Sequence, residues 1–117
     1  MTTPATQNFT VYRGYRFFKT FTVNLDLTGY TIHMQARLRN DDAAPITGWN
    51  LSSPSTGISI TATGASESTF TVDRAHSDTA NITSSAPYEI MFIDGSGNRT
   101  PFMQGRLNPD ENTMVVA

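Results

Sequence analysis

The amino-acid sequence predicts an all-β fold: an antiparallel β-sandwich of seven or eight strands with one short helix. Three observations lead there. The chain of 117 residues carries 18 Thr and 10 Ser but a single lysine, Lys19, and the β-branched Thr side chain, stiff at χ1, favours strands over helices. Apolar and polar residues alternate at a period of two in several runs. Those runs are short and bounded by Gly, Pro, Ser, Asn or Asp, the punctuation of sandwiches and barrels. The length suits one core, and 38% hydrophobic with 15% charged residues is the balance of a folding domain, not of a disordered polyelectrolyte or a coiled coil.

A weak strand pattern comes first, over residues 7–12. Phe17, Phe21, Val23 and Leu25 then share one face of a second strand, with Lys19 interrupting it and Thr20, Thr22 and Asn24 opposite. Asp26-Leu27-Thr28-Gly29 connects this strand to the next, either as an antiparallel hairpin or as a corner between two sheets. Residues 30–38 give the strongest signal: Tyr30, Ile32, Met34, Ala36 and Leu38 alternate with Thr31, His33, Gln35 and Arg37, so one face is expected in the core. Residues 46–51 are a weaker candidate, and residues 58–62, 68–72 and 88–93 read as three further strands. Between the last two, residues 73–82 form the one plausible helix, with Asp73 as its cap. Asp94-Gly95-Ser96-Gly97-Asn98 is a hairpin turn leading into a strand over residues 100–107. The organisation expected is an arm at 1–8, a sandwich at 9–107, and a tail or last strand at 108–117.

Charge and motifs narrow the function classes. A net charge of −2 lacks the clustered Lys and Arg that displace counterions from nucleic acid, so no nucleic-acid partner is expected. No segment approaches the roughly 18 apolar residues of a membrane span, and the opening Met1-Thr2-Thr3-Pro4 has no signal-peptide pattern, so synthesis in the cytoplasm without membrane attachment is expected. Asp94, Ser96 and Asn98 mimic the start of a calcium loop, but Arg99 and Gly105 stand where that loop needs glycine and a bidentate carboxylate, and no metal or other cofactor is expected. His33 and His76 read as solvated surface groups, Ser66 lacks the second glycine of a nucleophile elbow, and no enzymatic activity is expected. Four glycosylation-type sequons, at Asn8, Asn50, Asn81 and Asn98, are expected to stay unused without export.

Interaction residues are more visible. Among the aromatics Phe9, Tyr12, Tyr15, Phe17, Phe18 and Phe21, Phe17 and Phe21 are expected in the core, with Tyr15 or Phe18 facing a neighbouring subunit. The same series could instead offer flat rings to a sugar. Met114, Val115 and Val116 make an apolar run that must find cover, on its own sheet or against another chain.

One stretch carries a resemblance. Leu25-Asp26-Leu27-Thr28-Gly29-Tyr30-Thr31-Ile32-His33-Met34-Gln35-Ala36-Arg37 resembles the D-L-T-G-Y-T … M-Q-x-R hairpin of small tailed-bacteriophage virion proteins, including the N-terminal domain of phage baseplate upper proteins. Gly57-Ile58-Ser59-Ile60, Thr69-Phe70-Thr71-Val72, Tyr88-Glu89-Ile90, the Asp94 turn and Gly105-Arg106-Leu107 follow in the same order. The resemblance implies an immunoglobulin-like sandwich serving as a docking module at the tail, baseplate or tail-fibre attachment site of a virion. Its partners would be other virion proteins and copies of itself. The alternatives are a capsid decoration protein and, in a different class, a carbohydrate- or receptor-binding module.

Overall fold

Period-two alternation becomes nine strands and one helical turn in the computed structural model, which describes residues 5–38, 44–53 and 56–110. The strands are β1 (Ala5–Thr6), β2 (Phe9–Tyr12), β3 (Phe17–Val23), β4 (Thr31–Ala36), β5 (Asn50–Ser52), β6 (Ile58–Thr63), β7 (Ser68–Arg74), β8 (Ala86–Ile93) and β9 (Arg99–Asp110), with α1 (His76–Thr79) between β7 and β8. They form two sheets. One has the order β1-β9-β8-β4-β5, with β2 continuing beside β9, and the other has the order β3-β7-β6. Pairing is antiparallel except that β1 and β2 run parallel to β9. Taking β2 as the first strand and leaving the three-residue β5 out of the count, second-fifth-fourth on one sheet facing last-sixth-third on the other is the order of an immunoglobulin-like sandwich.

The core fills the space between the sheets. Ile32, Met34 and Ala36 of β4, Phe70 and Val72 of β7, and Tyr88, Ile90 and Phe92 of β8 are all buried, every second residue in each strand, as the pleat requires. Immunoglobulin domains of antibodies pin their sheets with a disulfide; this chain has no cysteine. Four phenylalanines bridge the sheets instead. Phe21 stacks on Phe70 at 5.1 Å, Phe92 stacks on Phe102 at 4.8 Å, and Phe70 meets Phe92 edge-on at 6.0 Å. Each such pair contributes about 0.5–1.5 kcal/mol beyond the area it buries.

Several expectations are resolved or corrected. Of the two connections open for residues 26–29, the structure has the corner, because β3 and β4 lie in different sheets. The buried Leu27 marks the crossing, and its N–H donates to the Ser68 hydroxyl at 3.0 Å. Nine strands exceed the seven or eight expected because Ala5 and Thr6, read as part of an arm at 1–8, pair with Met103 and Gln104. For the segment from 108, expected as a tail or a last strand, the described residues are strand: Asn108, Pro109 and Asp110 continue β9 and pair with Thr10, Val11 and Tyr12. Pro109 looks like a strand breaker, but the edge position of this pairing tolerates a residue without an N–H. The helix shrinks from 73–82 to four residues capped by Ala75, since Asp73 and Arg74 are committed to β7. On β4 the apolar face ends at Ala36, leaving Tyr30 half-buried and Leu38 54% exposed. The candidate at 46–51 is a turn followed by the three-residue β5, and Trp49 in that turn is fully buried.

Candidate functional site

On β3, residues of even number point away from the core, and the β3–β7 register sets Phe18 opposite Asp73, Thr20 opposite Thr71, and Thr22 opposite Thr69. Ser59 of β6 continues the row beside Thr71. The outer face of the three-stranded sheet is therefore a field of hydroxyl groups. It ends at an aromatic ring. Phe18 is 48% exposed, and the Arg16 guanidinium lies over its face at 4.6 Å.

Arg16 is fixed there by a two-pronged bond: Nε and Nη2 donate to the two carboxylate oxygens of Asp73, each at 2.9 Å. This planar fork is the geometry that suits guanidinium to carboxylate. The hydrogen bond from Arg16 holds the Asp73 carboxyl below its ordinary range, against the opposing effect of burial and with the Arg16 charge assisting. Beside this pair the surface sinks into an open depression of about 800 Å³, floored by Arg74 and Asp78 and rimmed by His76.

The floor is built by two glycines that sequence reading passes over. Arg74 reaches between the sheets, where Nη1 donates to the Gly48 carbonyl at 2.6 Å and lies 3.5 Å from Asp78 Oδ2. A Cβ on Gly57 would sit 2.5 Å from Arg74 Nη2, and one on Gly48 would sit 2.3 Å from Asp78 Oδ1. Both glycines also have positive φ, 81° and 85°. Below them the Trp49 indole donates to the Asp78 carbonyl at 2.9 Å, which anchors the floor to the core.

A second depression, of about 640 Å³, lies on the outer face of the larger sheet and is lined by Gln35, Arg37, Glu89 and Arg106 among others. Its polar groups mostly hold the first strands in place. The Tyr88 hydroxyl donates to the Gln7 carbonyl, the Arg106 N–H donates to Asn8 Oδ1 at 3.0 Å, and a Cβ on Gly105 would collide with the Gln7 carbonyl. Burial pushes the Tyr88 hydroxyl pKa well above its ordinary value. Tyr88 therefore stays a neutral donor that pins the segment to β8 and β9.

The residues singled out from sequence divide. Phe18 is exposed and lines the first depression. Tyr15 is half-buried, its carbonyl accepting from the Thr79 hydroxyl at 2.7 Å, and it does not join Phe18 there. Met114, Val115 and Val116 lie outside the described residues. His33 sits half-buried on the outer face of the larger sheet, and His76 is exposed. In the Asp94 turn the carboxylate accepts from the Ser96 and Asn98 N–H groups at 2.8 and 2.9 Å and from the Asn98 amide at 3.0 Å, and these bonds hold its pKa below the ordinary range. Among the described residues, no group of three or more His, Cys, Asp or Glu side chains is placed to hold a metal ion. All four sequon asparagines spend a side-chain atom on an internal hydrogen bond.

No family model matches the chain, and no curated protein matches it. Among solved structures it is similar to murine CRIg, with 11% identity over 89% of this chain and 92% of that one, at a TM-score of 0.40. Sequence reasoning missed Arg16, Asp73, Arg74 and Asp78 as a group. Only the i, i+4 spacing of Arg74 and Asp78 was a local signal for any of it; Arg16 and Asp73 are separated by 57 positions.

Proposed function

We propose that this domain is a docking module of a tailed-phage virion, joining the tail or baseplate to fibres and meeting other virion proteins and copies of itself. The observation that carries the reading is the Leu25–Arg37 stretch with its resemblance to small tailed-phage virion proteins. That stretch supplies the Leu27 corner and β4, so the resemblance falls on residues that fix how the two sheets join. Exposed rings support it as well: Phe18 and Tyr12 are 48% and 51% exposed, and aromatic side chains on otherwise polar surfaces are common anchors for partners. A docking role asks for a rigid frame with varied outer faces, which a β-sandwich provides. Mass spectrometry of separated tails and heads from the phage that encodes the chain tests this. The protein is expected in the tail fraction. Presence in heads alone would transfer the reading to capsid decoration, and absence from both would overturn it.

A further inference from the structure

The depression beside Phe18 combines three features that together select a ligand class. The first is a half-exposed ring with one face held against Arg16. The second is the adjacent row of hydroxyls from Ser59, Thr61 and Thr71. The third is its charge, which cancels within the site. Arg16 is paired with Asp73 at 2.9 Å, and Arg74 lies 3.5 Å from Asp78.

An anionic ligand would need an unmatched cation, since attraction to phosphate or carboxylate comes from guanidinium or ammonium groups not already neutralised. Both arginines of this depression have carboxylate partners. A purely apolar ligand fits no better, because it would cover the Arg16, Asp73, Asp78 and Thr71 polar groups in the lining without giving them hydrogen-bond partners. A neutral polyhydroxylated ligand meets both demands: its C–H faces pack on an aromatic ring, and its hydroxyls exchange hydrogen bonds with planar charged groups and Ser/Thr side chains. We infer that the outer face of the β3-β7-β6 sheet, at Phe18, Arg16, Asp73 and Thr71, is a binding site for a neutral oligosaccharide. The shallow, open shape fits the side of a glycan chain and not an enclosed monosaccharide. The Arg16–Asp73 fork presets the polar groups, and Gly48 and Gly57 leave the space that the Asp78 and Arg74 side chains occupy, so little reorganisation accompanies binding. Phe18 also supports the virion reading, but this inference does not rest on that reading, and its test does not use particles.

The full chain, isotopically labelled, is titrated by NMR with neutral oligosaccharides (maltohexaose, cellohexaose, chitohexaose and mannohexaose) and with a heparin hexasaccharide as the anionic probe. At least one neutral probe is expected to shift amides of Phe18, Thr71, Asp73 and His76 while those of the larger sheet stay still. Phe18→Ala should weaken that binding by about tenfold or more, the usual loss for an aromatic anchor, without changing the melting temperature. Thr71→Val, which keeps shape and removes one hydroxyl, should weaken it by a smaller factor. The proposal is overturned by no response to any neutral probe at about 10 mM, a limit well above millimolar dissociation constants. It is equally overturned by preference for heparin, by shifts centred on another face, or by unchanged binding in Phe18→Ala.

Discussion

The two lateral sides of the sandwich are closed by different means. On one, the chain itself crosses from β5 to β6: the Ser52 and Thr56 backbones exchange two hydrogen bonds of 2.9 Å, Ser52 bridges to Gly57, and Trp49 and Leu51 are fully buried beneath. On the other, Phe9 of β2 wedges edge-on against Phe17 and Phe21 of β3, at 6.0 and 5.9 Å, and the chain crosses at one end, where residues 13–16 link β2 to β3. There, among the described residues, β3 pairs with β7 on one side only, leaving seven residues of strand edge open. An open edge invites pairing with another chain. The lone lysine guards it: Lys19 takes an inward position opposite Val72, between Phe17 and Phe21, with Nζ 5.8 Å from the ring centroids of both Phe9 and Phe17. A covered side depends on shape, and an open one depends on charge.

That contrast orders the expected effects of mutation. The largest belongs to the covered side, where Trp49→Ala empties a fully buried site and removes the indole hydrogen bond to the Asp78 carbonyl. Chemical denaturation should show a loss of about 3–5 kcal/mol; a loss below about 1 kcal/mol would mean the crossover does not seal the core. Gly57→Ala acts at the same place by a different route, forcing a Cβ into positive φ against Arg74 and Leu51. It should cost about 1–3 kcal/mol, readable as a lowered denaturant midpoint with an unchanged slope.

On the open side, Lys19→Val should leave monomer stability within about 0.5 kcal/mol yet produce dimers or larger species in sedimentation velocity as concentration rises. Lys19→Arg should stay as monodisperse as the parent, and equal behaviour of the Val and Arg variants would show that charge does not protect this edge. A smaller effect comes from acid. Asp73 has its pKa lowered in the folded state by Arg16, so its contribution is complete above the unfolded carboxyl value of about 3.9 and disappears as pH falls through the lower folded value. Both partners are largely exposed, which keeps the term small. Asp73→Asn should flatten the acid limb of stability against pH, and an unchanged limb would show that the pair contributes nothing. The smallest change is expected from a chelator. With the Asp94 carboxylate already engaged by Ser96 and Asn98, melting with and without EDTA should coincide, since only a ligand bound to the folded state shifts the midpoint.

Some of this was legible from neighbouring residues alone. The alternation from Thr31 to Ala36 placed Ile32, Met34 and Ala36 in the core and left His33 and Gln35 on the outer face. Phe17 reads from its strand pattern as core and is buried, and Lys19 shows as a break in that pattern, although not as an edge guard. Other features failed for physical reasons. Trp49 sits in a turn with no periodicity to mark it, and it packs against Phe17 at 5.8 Å, far away in sequence. Asp73 resembles a helix cap locally, but seven consecutive pairings with β3 extend β7 through Arg74 and take Asp73 into the strand. The terminal segments look like an arm and a tail because parallel pairing of β1 and β2 with β9 joins residues about a hundred positions apart, as in Asn108 beside Thr10.

The sequence by itself determined the all-β class, most of the strand segments and which face of β4 turns inward, because strand propensity and side-chain alternation are properties of residues one and two positions apart. Tertiary structure alone decided that Asp26–Gly29 is a corner between sheets, that β3 lies at an edge, and that Arg16, Phe18 and Asp73 meet over a floor opened by Gly48 and Gly57. A sheet draws its neighbours from anywhere in the chain, and the register that sets Phe18 opposite Asp73 exists only once β3 and β7 have paired.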